Sequence, residues 1–167
     1  MKGILLTFIV FLLTACGSAA TVDNTGWTVY KTAQEAGTAA GITFEMPELK
    51  DRQELSNYAV NEGKDALRTV FKDERSNNYF YYKTASGTES PVDVSVYDSN
   101  QQLKTRNDII VTVYNNDMTS YVATWETEEN GVKYEHVLFA KDGVPKAMFI
   151  ENAQRFALAA SITPPKS

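Results

Sequence analysis

One cysteine, Cys16, and one histidine, His136, are all that this chain of 167 residues has of either. A single thiol forms no intrachain disulfide, and no C-x-x-C pair exists to hold zinc or run redox chemistry. A single imidazole builds no His-containing metal cluster, and any Ser-His-Asp triad would have to use His136. No serine sits in a G-x-S-x-G elbow. Gly37 and Gly41 fall within or just after a helical stretch, which is not the strand–loop–helix setting of a phosphate cradle. A cationic excess is also missing. Sixteen basic residues face twenty-one acidic ones, a formal net charge of −5. That balance argues against nucleic acid as a partner and against lying flat on anionic lipid. Long apolar runs are scarce: the longest is Ile4–Leu13, interrupted only by Thr7. It is too short to span a bilayer, which takes about 20 residues.

What is present begins at that run. Lys2 supplies a positive start, the apolar stretch follows, and small residues close it. This is the layout of a secretory signal. It ends in Leu13-Thr14-Ala15-Cys16, which resembles the lipobox of bacterial lipoproteins. The resemblance implies that residues 1–15 are a signal peptide cut before Cys16. Cys16 would then be the first mature residue, thioether-linked to diacylglycerol and carrying palmitate-type chains. The chemistry suits a thiolate, the nucleophilic form of sulfur. Each buried methylene is worth about 0.8 kcal/mol, and two chains hold where one binds only marginally. The other readings are an ordinary signal peptide with a chance cysteine, or an uncleaved anchor. With acyl chains on Cys16 the membrane is a partner. The address is then the bacterial cell envelope, facing outside the cytoplasm.

Cutting 15 residues from 167 leaves 152, enough for one domain. Such a domain buries about 68–70% of its unfolded surface. Residues 16–26 comprise Cys16 and a small, polar tether; ten such residues reach roughly 16–19 Å. Residues 27–162 form a single α+β domain, and 163–167 are a tail. Trp27–Tyr30 opens the fold. Thr32 followed by Glu35 is a capping-box spacing for a short helix, with Ala33, Ala36, Gly37 and Ala40 on one face and Gly41 as its stop. Residues 42–46 alternate as a strand that Pro47 ends. From Asn57 the period becomes 2, with strands expected at 57–61, 66–72, 78–84, 91–97, 108–115, 119–127 and 132–140. Turn residues separate them, including Asp98-Ser99-Asn100, Asn115-Asn116-Asp117 and Asn130-Gly131; the last suits a type I′ hairpin. The expected fold is therefore an antiparallel β-sheet meander of six to eight strands. A short N-terminal helix and a C-terminal helix cover it. Strands such as Ile109–Tyr114 and Tyr79–Tyr82 are apolar or aromatic on both faces, so covers for both faces are expected. The two helices are the obvious candidates. The C-terminal helix follows Pro145 at its first position, with the stripe Phe149, Ala153, Phe156 and Ala160.

Tyr30 to Ala36, then Ala40-Gly41-Ile42-Thr43-Phe44-Glu45-Met46-Pro47-Glu48, resembles the opening of small bacterial lipoproteins of the DUF4367 class. These are domains of unknown function. Val111–Tyr114, Tyr121–Trp125 and Asn130–Tyr134 resemble that family's strand pair ending in Ala-x-Trp and its Gly-x-x-Tyr strand. The likeness covers the two ends of the mature chain more closely than its middle. Pro145 stands where the family carries a serine cap.

Few residues carry chemistry. His136 shares its strand parity with Tyr134 and Leu138 and reads as a half-buried histidine with a satisfied hydrogen bond. Glu126, Glu128 and Glu129 flank the Asn-Gly turn. Paired carboxylates can do acid–base work or hold calcium, but a hairpin tip is also where solvent asks for charge. Tyrosines crowd the strands. Packing explains an aromatic sheet; a recognition face is the other reading, with Tyr81, Tyr97, Tyr114 and Trp125 as its candidates. No catalytic residue, metal site or cofactor is expected. The expected function is non-enzymatic: a monomeric, lipid-anchored recognition or sensing module for an envelope protein or ligand. The alternative is a carrier of lipid or another apolar ligand in a pocket of a curved sheet. That alternative rests on fold-level analogy.

Overall fold

The computed structural model describes residues 21–22, 26–44, 46–50, 52–61, 66–73, 75, 77–116, 120–140 and 143–161. The expected signal peptide and lipobox, Cys16 and most of the expected tether lie outside the described residues. The elements run β1 (Thr21–Val22), β2 (Thr28–Tyr30), α1 (Ala33–Ala40), β3 (Glu54–Asn61), β4 (Ala66–Lys72), β5 (Asn78–Ala85), β6 (Ser99–Lys104), β7 (Ile110–Asn115), β8 (Tyr121–Glu129), β9 (Val132–Ala140) and α2 (Lys146–Ala160). The strands form one open antiparallel sheet in the order β1-β2-β3-β4-β5-β9-β8-β7-β6. Eight of the nine strands have three or more residues, and β1 has two. The α+β architecture is the expected one. No helix among the described residues is long and apolar enough to cross a membrane.

The meander is in fact two. Strands β1 to β5 lie side by side in chain order. The chain then moves to the far edge, lays down β6, and returns through β7 and β8 until β9 pairs with β5. The connection from Ala85 to Ser99 must therefore cross the width of three strands. It cannot itself join the ladder, and this is why 91–97 is not a strand. Asp93 takes the N–H and hydroxyl of Ser95 at 2.9 and 2.7 Å and caps a 3-10 turn at Val94–Val96. The alternation of Val92, Val94 and Val96 mimics a strand but has no partner, and Val96 is 63% exposed. The strand lies just beyond, where Ser99 pairs with Asn115 and Lys104 with Ile110. Asp98-Ser99-Asn100 thus leads into an edge strand rather than making a turn.

The Asn-Gly hairpin is as expected. Asn130 (φ 53°) and Gly131 (φ 81°) are both left-handed, joining Glu129 to Val132 across two residues. The capping box also forms. Thr32 Oγ1 accepts from Glu35 N–H at 3.1 Å, and Glu35 accepts from Thr32 N–H at 3.3 Å. Gly41 ends α1 at φ 65°. The chain then turns back too tightly for a strand: Ile42 N–H donates to Gly37 O at 3.0 Å. Residues 42–44 run outside the sheet, with Ile42 buried and Phe44 packed on Tyr58 and Tyr81.

Both helices lie on the same face, not on opposite ones. Helix α1 packs Ala36 and Ala40 with Val60, Leu67 and Tyr134. Helix α2 packs Phe149, Ala153, Phe156 and Ala157 with Phe71, Tyr79, Tyr81, Val113 and Leu138. Register places Leu67 opposite Lys83, Tyr134 opposite Ala85, and Phe71 opposite Tyr79. All share the parity of Tyr81, so they share a face. The opposite face covers itself: Phe80 meets Phe139 at 5.9 Å and Trp27 meets Tyr82 at 6.0 Å. Under such rings the small Ala59, Val122 and Val137 are fully buried. On α2, Pro145 sits one place earlier than expected, at the extended N-cap position with no side-chain cap. The stripe holds at Phe149, Ala153 and Phe156, while Ala160 is only half-buried.

Gly37 is where α1 touches its own exit. A Cβ there would stand 2.8 Å from the Ile42 carbonyl oxygen, a backbone atom. Gly37→Ala is expected to destabilise the fold by about 1–3 kcal/mol through overpacking, despite alanine's better helix propensity. Urea unfolding alongside the exposed Thr38→Ala checks it. An unchanged midpoint for Gly37→Ala would refute the close approach.

Candidate functional site

The densest concentration of polar and aromatic side chains lies on the helix-covered face, where β5, β9 and β8 run together. Alternation along β5 sends Tyr79, Tyr81 and Lys83 inward. Cross-strand pairing sets Lys83 opposite His136, and His136 opposite Trp125. Trp125 and His136 stack with ring centres 5.3 Å apart and planes 4° from parallel. Tyr81 lies 5.9 Å from Trp125 and 4.9 Å from Phe156.

His136 is fully buried, not half-buried. Its Nδ1 lies 2.7 Å from Tyr81 Oη, and its Nε2 lies 2.7 Å from Thr127 Oγ1. Each hydroxyl can donate or accept, so either neutral tautomer is satisfied. Burial, helped by the nearby Lys83 charge, pushes the imidazole down to about 3. It is therefore neutral over the physiological range. Burial first, and the Glu129 charge second, push the Tyr81 phenol well above its ordinary value. Neither ring group is poised to move a proton near neutral pH.

Lys83 is the residue that sequence reasoning missed. Its side chain is 5% exposed, and its ammonium donates to Glu129 Oε1 at 2.6 Å and to the Thr43 carbonyl at 2.7 Å. It also sits 4.4 Å from the centre of the Tyr134 ring. One signal could have found it: a lysine in the inward register of Tyr79 and Tyr81 must bury its charge or be paired. The contact with Thr43 ties the segment after α1 to the sheet.

The three glutamates by the hairpin do not converge. Glu129 turns inward to Lys83, whereas Glu126 and Glu128 are exposed on the opposite parity. Among the described residues, no three His, Cys, Asp or Glu side chains are placed to hold a metal. The four candidate recognition aromatics also part company. Tyr81 and Trp125 come together, but within the core, where α2 covers them. Tyr114 is half-buried on the other face, since its neighbour Val113 faces α2, and Tyr97 is half-buried beyond the 3-10 turn. A shared docking surface of these four is ruled out by strand parity. Leu13, Thr14, Ala15 and Cys16 lie outside the described residues. The space where an apolar ligand would sit is occupied: Tyr79, Tyr81, Phe71, Phe149 and Phe156 fill it and are essentially unexposed.

Two outcomes follow. Removing Glu129 leaves a buried ammonium short of its counter-charge, so Glu129→Ala should cost about 3–5 kcal/mol. Exchanging both partners for apolar residues, Lys83→Met with Glu129→Leu, should recover most of that. A double-mutant cycle by chemical denaturation reads the difference. The second outcome concerns pH. The unfolded chain protonates His136 near 6.5, but the folded chain refuses the proton until about 3. Stability is thus fully present above 6.5 and declines as pH falls through that window. Between pH 7 and pH 5 the loss should be about 2 kcal/mol. His136→Gln should remove that part of the slope, and an unaltered slope would contradict the neutral buried imidazole.

No family model matches the chain, and neither a curated protein nor a solved structure matches it.

Proposed function

We propose that this protein is a lipid-anchored domain of the bacterial envelope, held outside the cytoplasm by acyl chains on Cys16, that acts by recognition rather than catalysis. The observation that carries the reading is Leu13-Thr14-Ala15-Cys16 at the end of a short apolar run with Lys2 before it. The described residues support the second half. The one imidazole is buried, neutral and bonded at both nitrogens, and the buried lysine is engaged by a carboxylate, a carbonyl and a ring face. Both of these groups are spent on holding strands together. The likeness to the DUF4367 class rests on the sequence motifs alone and points to the same envelope setting. The carrier reading is the less favoured one, because packed rings take the room that a ligand would need.

Expression of the full chain in a bacterium fed an alkyne-bearing palmitate analogue tests the anchor. The wild-type chain should carry the label and sediment with membranes. Cys16→Ala should lose the label. Wild-type protein that is unlabelled, or free in the medium, would defeat the reading. Screening the membrane-held chain for hydrolysis of envelope substrates tests the other half. Turnover that disappears in His136→Ala would show an enzyme.

A further inference from the structure

The α2 helix carries Glu151, Gln154, Arg155 and Leu158 along one stripe, at helical spacing. That stripe faces the end of β6 and the turn after it. Between them lies a depression of about 350 Å³ lined by Lys104, Thr105, Arg106, Glu151, Gln154, Arg155 and Leu158. Three cations therefore meet one anion there, on a chain whose acidic residues outnumber its basic ones by 21 to 16.

The anion is already engaged. Glu151 pairs with Lys50, whose ammonium holds its carboxyl below the usual range. Lys104 pairs with Asp108 at 2.8 Å, but both side chains are largely exposed, at 63% and 80%. Such a pair is worth little, so Lys104 is readily diverted to a better acceptor. Arg106 is exposed.

Arg155 is the unusual member. Its Nη2 donates to Gln53 Oε1 at 2.7 Å and to Asn152 Oδ1 at 3.0 Å. Its Nε and Nη1 are buried with no hydrogen-bond partner. Leaving such donors unmatched costs about 1–3 kcal/mol each. Burial also works against the guanidinium charge. An oxyanion in the depression would offset that charge through the edge of Arg155 that lines it. Gln53, itself braced by the Lys50 N–H at 3.0 Å, holds one side of the guanidinium in place. The unmatched donors are the remaining ones.

We infer that the depression between α2 and the end of β6 binds a phosphate-class oxyanion, with Arg155, Arg106 and Lys104 supplying the charge. The ligand is inorganic phosphate or a phosphate ester, either free in solution or on an anionic lipid headgroup. The inference does not depend on how the chain is anchored or whether it is an enzyme.

The test uses the full chain held in non-ionic detergent micelles, with melting followed at constant ionic strength. One arm adds inorganic phosphate against chloride. The other arm adds phosphatidylglycerol to the micelles against phosphatidylcholine. A ligand that binds only the folded chain raises the melting temperature in a saturable way. A rise with inorganic phosphate supports a free anion, and a rise with phosphatidylglycerol alone supports a headgroup. Arg106→Gln, at an exposed position with no packing role, should weaken either response by about tenfold. Arg155→Gln should do the same if it folds. The exposed Lys133→Gln, on the β9 strand outside the depression, should leave it unchanged. The inference falls if neither ligand raises the melting temperature. It falls equally if the rise survives Arg106→Gln.

Discussion

The pairing of β5 with β9 is what turns two hairpin ladders into one sheet. Strands β1–β5 and β6–β9 each pair in chain order, through short connections except where α1 lies between β2 and β3. Only the β5–β9 seam, Tyr79↔Ala140 through Ala85↔Tyr134, joins the ladders, at a sequence separation of roughly fifty residues. Its closure is the entropically expensive event of this topology. Polar groups are concentrated on the same seam. Tyr81 and His136 are bonded across it, and Lys83 reaches past His136 to Glu129 on the next strand. Sliding β9 by two residues would keep every side chain on its face. It would separate Tyr81 from His136 and leave both with buried, unmatched polar atoms. A buried ion pair adds little to stability in itself. Here the polar set acts on register: it penalises the slipped sheets that purely apolar strands would tolerate.

Local signals in the sequence were legible wherever structure is decided locally. Thr32 and Glu35 are three residues apart and cap α1 as their chemistry requires. Asn130-Gly131 must sit where both φ angles are positive, and it does. Phe149, Ala153 and Phe156 recur at helical spacing and face the sheet. What was not legible depends on partners distant in the chain. Ser99–Lys104 reads as polar loop, and only its pairing with β7 makes it a strand. Val92–Val96 has the pattern of a strand and no partner. Residues 42–46 have strand-forming composition, but α1 delivers 42–44 above the sheet rather than into it. The same division holds for the candidate site. Residue type marked Tyr81 and Trp125 as aromatic strand residues. Parity relative to α2, which begins 65 residues after Tyr81 (146 − 81) and 21 after Trp125 (146 − 125), put them inside, and sequence does not give that parity.

One-sided covering has a further consequence. With both helices on one face, the other must hide its small residues under its own large ones. Phe80, Phe139, Tyr82 and Trp27 do this in pairs. Their half-exposure is therefore a packing solution and does not by itself mark a docking surface. The apolar content of both faces of β5, which suggested two covers, has two origins: core on one side and a self-covering aromatic layer on the other.

Charge is sorted by the same sheet. The β6–β7 turn contributes to two depressions. On the helix side Lys104, Thr105 and Arg106 meet Arg155 of α2. On the open side Asn107, Asp108 and Ile110 meet Glu126 and Glu135. These glutamates are cross-strand partners, facing each other directly, and like charges so placed repel. Fields from the two depressions are screened within about 8 Å at physiological salt, so each acts only on what comes close. A phosphate-class anion is turned away from the acidic side and admitted on the cationic one. The net charge of −5 does not oppose this, because screening confines selection to the local surface. Glu126 and Glu135 thus lie on the open face of the sheet, and Arg155 lines the depression on the helix side. For an anion, the side of approach decides binding more than the overall charge of the protein does.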